Sequence, residues 1–407
     1  MPVSVPQILT RVTDVLKQGY LPAFDNQLTT EPSAFMEKID KAPLTNAQLT
    51  GAAPIGINGG FGFGAEGSAT PSAGALSYDA YKLAAKDMYV DLQISHKTVL
   101  LGQSNAASIV NVVANEIESS YQSAKWNVSR ALFGDGTGKL ATLKAEVGAT
   151  ATTIKVDNVS KLIEGLMIDI YGSGSTTPGV TCARIKSINR TPAADGSYTV
   201  TLTAQAGGTA TNGGFITVQG SYNREITGLG AIFDHTACPA LYGLVKNEHE
   251  YLKPYTQDAG NELNDMVLYD GVKYARDYKN SKIDLIMMGN EAFRAYRQYL
   301  IESQVTVVDP SRKFKGGAAG ITVLVGDQQV DIVNERFVPS TKAWGVDTSA
   351  FKFHRTPFDF ATYNGSSAFE LIDRTSIYRA LLASYGELVC SNPGGCIEFT
   401  NCGLAKG

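Results

Sequence analysis

The chain has 407 residues, enough for two or three domains with cores of their own, and 43% of them are apolar against 18% charged. A net charge of −4 lacks the basic stripe of a dedicated nucleic-acid binder, and no apolar run reaches the roughly 18 residues that mark a membrane span. The opening residues "MPVSVPQILTRVTDVLKQGYLP" carry no apolar h-region, so no secretory signal is expected there.

In chain order, residues 1–50 read as an arm with one short amphipathic turn (Ile8, Leu9, Val12, Val15, Leu16) and little periodicity after it. The stretch "GAAPIGINGGFGFGAEGSATPSAGALS" is rich in glycine, broken by proline and without apolar period, which predicts an extended loop. From 78 to 100 the pattern changes to alternation. Met88, Val90, Leu92 and Ile94 share one face, and Asp87, Tyr89, Asp91, Gln93 and Ser95 share the other, as in a strand with one apolar side. Fully extended, that segment would reach roughly 75 Å.

The strongest signal follows. Over 104–133, apolar positions recur at Ile109, Val113, Ile117, Tyr121, Ala124, Val128 and Leu132, three or four apart, with no Gly or Pro between. This predicts one helix of roughly 45 Å, with Ser104 as its N-cap and Gly134 as a left-handed C-cap. Between 148 and 222 the composition shifts to Thr, Val, Ile and Gly. Short strands are expected at 153–156, 166–171, 181–188, 198–203 and 215–219, forming a small barrel or sandwich. Beyond it the pattern predicts a helix over 257–279 with Leu263, Met266, Val267, Tyr274 and Tyr278 apolar. A buried strand at 282–288 follows, then a helix capped by Asn290 with Phe293, Tyr296 and Leu300 on one face. The segment "GITVLVGDQQVDIVNERFVPSTKAWGVDTSAFKFHR" reads as strands and turns, and the end as strand-rich with a helix around 377–383.

Residues that carry chemistry are sparse. "GDGTGK" is one residue short of a Walker loop between Gly134 and Gly138, Lys139 is followed by Leu140, and the segment leaves a helix, whose C-terminal end repels phosphate. Gly62, Gly64 and Gly67 fit the dinucleotide fingerprint in letters, but Pro71 and small residues deny the helix it needs. His96, His235, His249 and His354 stand at no ligand spacing, and "NEHEY" lacks the second His of a zincin. Five cysteines include Cys390, Cys396 and Cys402, six apart, which match no metal knuckle and read as free thiols, with an intersubunit disulfide as the other reading. The Asn127-Val128-Ser129 sequon lies inside the long helix. No G-x-S-x-G elbow or paired carboxylates appear, so no catalytic residue, cofactor site or metal site is assigned.

The order of parts, from the arm and glycine-rich loop through "KLAAKDMYVDLQISHKTVLLGQSNAAS" to the long helix closing in "ALFGDGTG", with "VDIVNERFVPSTKAWGVDTSAFKFHR" later, resembles the major capsid proteins of tailed bacteriophages with the Hong Kong 97-type fold. It is clearest over 82–138 and 321–355. The resemblance implies an α+β chain: N-terminal arm 1–50, extended loop and return strand 51–100, peripheral domain with its spine helix 101–147, and an inserted small β-barrel-like domain 148–222. The axial domain would take 223–330, further peripheral strands 331–380, and an axial C-terminal segment 381–407.

It implies a structural protein, not an enzyme, that assembles with itself into hexamers and pentamers of an icosahedral head around double-stranded DNA. Its place would be the virion, after assembly in the host bacterial cytoplasm. The implied partners are other copies, a scaffolding protein separate from the chain or very short within it, a portal and a decoration protein. DNA would be met by non-specific proximity only, and no membrane is expected. An encapsulin-like nanocompartment shell of the same fold is the alternative, against which stand the insertion and the length. An enzyme with a β and an α/β domain, and a tail or decoration protein, are the readings from other classes. Some relatives cross-link through a Lys–Asn isopeptide. Lys82, Lys86 and Lys97 lie near the loop, but no partner Asn or catalytic Glu can be matched, so they read as solvated lysines.

Overall fold

The computed structural model describes residues 33–46, 48–55, 61–64, 77–97, 106–303, 312–313, 319–325, 328–360, 370–372 and 375–403. The amphipathic turn near Ile8, the Ser104 cap and much of the glycine-rich loop lie outside them. Helices and several separate sheets make an α+β chain.

The long helix runs Ala106–Leu132, 27 residues without a break. Tyr121, Ala124, Ala131 and Leu132 are buried along one face, while Glu118 and Gln122 bond each other on the outer one. Its end differs from the expectation at Gly134. The last turn tightens as Gly134 N–H bonds Ala131 O at 2.9 Å, and the left-handed positions are Gly136 (φ 84°) and Gly138 (φ 77°). A Cβ on Gly138 would stand 2.9 Å from Ser221 O, so glycine is required there by both angle and space. Between them the Asp135 carboxylate accepts from Thr137 N at 2.9 Å and Oγ1 at 2.6 Å, closing an Asx turn.

The chain then enters a six-stranded antiparallel sheet in the order Lys139–Thr142, Phe215–Val218, Met167–Tyr171, Pro178–Ile188, Tyr198–Leu202, Thr153–Val156. A bridge between Leu143 and Val156 joins the last strand back to the first, so the sheet curls into a closed barrel. Alternate residues point inward: Leu143, Val156, Leu162, Ile168, Ile170, Val200 and Ile216 form its core. Trp126 of the long helix packs against both this core and the main one.

The remaining strands form two larger sheets. The seven-stranded one has the order Tyr255–Asp258, Ile397–Thr400, Ala343–Val346, Leu285–Met288, Gln328–Asn334, Ala319–Val325, Arg312–Lys313. Its central strand "LIMM" is apolar throughout because both faces are covered. Ile286 and Met288 meet the helices Asp265–Lys279 and Asn290–Glu302, whereas Leu285 and Met287 face the main core. In the six-stranded sheet the strand Ile377–Cys390 is central. It pairs with Lys86–Ser95 on one side and with Phe351–Arg355, Asp359–Phe360 and Glu370–Leu371 in turn, and Asp40–Pro43 adds in parallel beyond Phe351–Arg355.

Four local expectations change. The segment 377–383 is strand, not helix, because Ile377–Cys390 is paired along both edges. The expected helix over 257–279 begins only at Asp265, capped by Asn264, since Tyr255–Asp258 is taken as a parallel strand by Ile397–Thr400. Its buried face is Leu268, Val272 and Ala275, and Met266 and Tyr278 are exposed. Finally, Asn290 is the first helical residue after a Gly289 N-cap that makes no side-chain bond; Ala292, Ala295, Tyr296 and Leu300 are buried.

One aromatic-rich core ties the parts together. Phe35, in the short helix Ala34–Lys38, meets Phe351 edge-on at 5.1 Å, and Trp344 stacks on Phe233 at 4.8 Å and Phe133 at 6.3 Å. Ser33 caps that helix by accepting from Met36 N at 3.1 Å. Lys38 fixes it to the seven-stranded sheet through Asp284 at 3.2 Å and Asp331 at 3.0 Å.

Candidate functional site

Two strands stand out because their partners within the chain cover so little of them. Among the described residues, Gln48–Ile55 and Ser77–Ala84 pair only with each other, in a continuous antiparallel register from Gln48–Ala84 to Ile55–Ser77. This ribbon rests on the body at its root, through Leu49, Tyr81 and Leu83. After Ala85 the chain re-enters the body as Lys86–Ser95. Here the alternation read from the sequence is physical: Leu92 is buried and Met88 and Val90 half-buried, while Asp87, Tyr89, Asp91, Gln93 and Ser95 face solvent. The ten residues pair in unbroken register with Ile377–Gly386, and among the described residues no strand pairs with their other edge.

That open edge borders a cleft of 710 Å³. Residues 86–91 form one wall. Ser120, Ser123, Ala124, Asn127 and Val128, one face of the long helix, form another, and the largely polar segment from Val218 to Ile226, with Phe358, forms much of the rest. At its base the Arg130 guanidinium forks onto both oxygens of Glu225, Nη1 to Oε2 at 2.8 Å and Nη2 to Oε1 at 2.5 Å, with both side chains buried. This pair joins the end of the long helix to the chain leaving the barrel.

At the ribbon root lies a second cavity of 340 Å³, lined by Lys82, Lys86, Asp135, Thr227, Tyr242 and Glu387 among others. Glu387 is fully buried; its Oε1 accepts from Thr227 N at 2.7 Å and Leu388 N at 3.1 Å, and its Oε2 has no partner. Burial pushes this carboxyl up to about 7, against the opposing pull of those bonds and of Lys86. Tyr242 is also raised by burial; its ring packs on Tyr81 at 5.7 Å, and its hydroxyl accepts from Cys390 N at 2.9 Å. Nearby, Lys246 is buried and donates to the carbonyls of Ala231, Ile232 and Asp234, so it caps the short helix Leu229–Phe233 rather than serving chemistry.

The residues singled out in the sequence do not converge. His96 lies beside Tyr378 and His249 beside Tyr251, His235 is lowered by burial and by Lys246, and His354 sits in the strand Phe351–Arg355. Among the described residues, no three His, Cys, Asp or Glu side chains group so that they could hold a metal ion, and no helix is long and apolar enough to cross a membrane. Cys238, Cys390, Cys396 and Cys402 are buried and Cys182 exposed. Burial pushes the Cys402 thiol up to about 12, and contact with Cys390 together with burial raises Cys396, so these thiols are poor nucleophiles. Lys82 and Lys86 line the root cavity, and Lys97 ends the strand region exposed. Sequence reading missed Arg130, Glu225 and Glu387. Their partners lie 95 and 160 residues away, and no local pattern announces such pairs.

No family model and no curated protein matches the chain. Among solved structures, it is similar to the capsid asymmetric unit of cyanophage A-1(L), over 94% of this chain and 92% of that one, at 10% identity and a TM-score of 0.48. It is also similar to the capsid of an empty GTA particle, over 91% and 90%, at 9% identity and a TM-score of 0.46. A third is the satellite phage P4 procapsid that includes the size determination (Sid) protein, over 93% and 97%, at 9% identity and a TM-score of 0.41.

Proposed function

We propose that the protein is the shell subunit of a tailed-bacteriophage head, a structural protein that assembles with copies of itself into hexamers and pentamers around double-stranded DNA. The observation that carries this is the ribbon Gln48–Ile55 with Ser77–Ala84, a paired element whose outer edges find no strand within the described chain and which leads into the equally open-edged strand Lys86–Ser95. Such edges are liabilities in a lone protein and become joints in an assembly. Large apolar side chains exposed elsewhere, Met266, Tyr278, Ile301 and Leu324, sit on or beside the seven-stranded sheet and its helices, where further copies would pack.

In this reading the ribbon and the arm lap onto neighbours, and the long helix with the six-stranded sheet forms the outlying part of each subunit. The seven-stranded sheet surrounds the local symmetry axes, and the barrel stands on the outer surface. The chain's partners are then other copies, a scaffolding protein, a portal and a decoration protein, with assembly in the host cytoplasm. The net charge of −4 fits an inner wall that meets DNA without gripping it. The test is electron microscopy of the full chain, expressed alone and together with a scaffolding protein: closed shells are expected. A protein that stays monomeric at high concentration with that scaffold present overturns the reading.

A further inference from the structure

We propose that Cys390 and Cys396 form a redox pair, which a peroxide joins into a disulfide within one chain, tying the two large sheets together. This goes beyond the shell reading and does not depend on it.

The two cysteines end and begin strands of different sheets. Cys390 closes Ile377–Cys390, the central strand of the six-stranded sheet, and Cys396 stands just before Ile397–Thr400 of the seven-stranded one. Between them runs the crossing Ser-Asn-Pro-Gly-Gly, folded into a tight turn at Pro393–Gly395 in which Cys396 N donates to Pro393 O at 3.1 Å. The turn brings the chain back on itself, and the two thiols hydrogen-bond to each other inside the aromatic-rich core. Both residues are fully buried, at 2% and 1% exposure.

The crossing is held so that the thiols stay side by side. Cys390 N donates to the Tyr242 hydroxyl at 2.9 Å, Ser391 N to Ala350 O at 2.9 Å, and Asn392 Nδ2 to Lys279 O at 3.1 Å. On the far side Tyr255 N donates to Cys396 O at 3.1 Å. A Cβ on Gly394 would stand 2.5 Å from Tyr251 O, so glycine lets the turn lie this close to the body. The other buried thiols face elsewhere. Cys238 Sγ donates to Asp135 O at 3.8 Å, and Cys402 Sγ to Thr400 O at 3.6 Å, with Cys402 in the core that holds Ile286 and Met288.

Burial selects the oxidant. Oxidised glutathione is too bulky for a pair so enclosed, whereas hydrogen peroxide is little larger than water. Burial and mutual contact raise Cys396, so thiolate is scarce and the reaction slow. One thiolate takes an oxygen from the peroxide, whose O–O bond breaks and leaves hydroxide, and becomes a sulfenic acid. The neighbouring sulfur then attacks it. The S–S bond forms, the S–O bond breaks, and the oxygen leaves with that thiol's proton as water. In sum, two thiols and one hydrogen peroxide give a disulfide and two waters. A thiol already in contact traps the sulfenic acid before a second peroxide carries it further. The closed ring takes freedom from the unfolded chain, and the bond spans the junction of the sheets. Because cytoplasmic thiols are kept reduced, a chain assembled there would close this bond only after release.

The experiment uses the full chain with Cys182→Ser, purified under reductant, freed of it and exposed to hydrogen peroxide. The chain is then unfolded with an alkylating reagent and cut after glutamate, which releases Leu388–Glu398 with Cys390 and Cys396 but without Cys402. That peptide is expected unalkylated and lighter by two hydrogens, about 2 Da, and reduction before alkylation should restore both sites. The oxidised chain should melt about 2–6 °C above the reduced one. Peroxide that leaves both cysteines open to alkylation, while it oxidises the exposed Cys182 of the wild-type chain, overturns the proposal. So do sulfinic acids at these positions, a bond from either to Cys402 or to a second chain, or an oxidised chain that melts no higher. The peptide reads the same from free chains and from shells, so none of these results touches the shell reading, and a failure to form shells leaves the pair untouched.

Discussion

The barrel and the ribbon are both built of short antiparallel strands, and reach opposite ends. In the barrel the strand order returns to its start through the Leu143–Val156 bridge, and Ile168, Ile170, Val200 and Ile216 are sealed inside. In the ribbon, each strand pairs once among the described residues, and Phe61 and Phe63 between the strands are exposed. The barrel strands are rich in β-branched residues and the ribbon strands in alanine, and they differ too in whether every edge has a partner among the described residues. A closed region is stable alone, and an open one is finished by association.

The largest expected effect lies at the joint between the closed barrel and the long helix. Arg130→Met leaves Glu225 charged and buried without its partner, and should cost about 3–5 kcal/mol in urea unfolding, read at unchanged slope. The double change Arg130→Met, Glu225→Leu should recover most of that. A single variant within about 1 kcal/mol of wild type would mean the joint is held by packing, not by the ion pair. Within the barrel, Leu162→Ala should cost about 2–5 kcal/mol, because Leu162 is fully buried and a closed wall relaxes little around a cavity. The matching truncation at the ribbon tip, Phe63→Ala, should change monomer stability by less than about 0.5 kcal/mol. Equal costs at the two sites would show that the tip is packed in the monomer and the contrast false.

The ribbon root adds a pH signature. The Glu387 carboxyl is held at about 7 when folded, above its ordinary value, so the folded state keeps a proton that the unfolded chain gives up. The stability this contributes is fully present below about pH 4.5 and is lost as pH rises through about 7. Glu335, also pushed up to about 7 by burial, titrates with the same sign, so the readout is the difference between wild type and Glu387→Gln. Glutamine keeps the acceptor for Thr227 N, and should gain on wild type between pH 5 and 8 by at most about 3 kcal/mol. A pH-independent difference would mean that Lys86 or Tyr242 moves to satisfy the charge.

How much of this the sequence disclosed follows the range of the forces involved. The alternation from Met88 to Ile94 was legible because one face of Lys86–Ser95 is covered and the other wet, a difference that period two records directly. The long helix was legible because nothing interrupts its stripe. The segment 377–383 reads as helix because its apolar residues Ile377, Tyr378, Ala380, Leu381, Leu382 and Ala383 fall on both faces of the strand, so period two is hidden and the alanines tip the reading to helix. Tyr255–Asp258 is a strand only because Ile397–Thr400 lies beside it, and no local pattern holds that partner. The candidate site was the least legible part. Its cleft is assembled from residues near 90, 125 and 225, too far apart in sequence for a local pattern to announce.

The smallest effect bears on what holds Lys86–Ser95 in place. On the outward face of that strand pair Arg379 Nε donates to Asp91 Oδ1 at 2.8 Å, with the two side chains 49% and 37% exposed. An ion pair so open to water gains little Coulomb energy and loses side-chain freedom, so Arg379→Ala should cost no more than about 1 kcal/mol, and the cost should shrink toward zero near 1 M salt, where the screening length is about 3 Å. The strand would then owe its position to Leu92 and the half-buried Met88 and Val90 on the inner face and to the ladder with Ile377–Gly386, none of which responds to salt. A cost above about 2 kcal/mol that salt abolishes would mean charge positions the strand. The open edge would then be a salt-tuned feature, its availability to a second copy varying with ionic strength, whereas apolar anchoring leaves it available at any ionic strength.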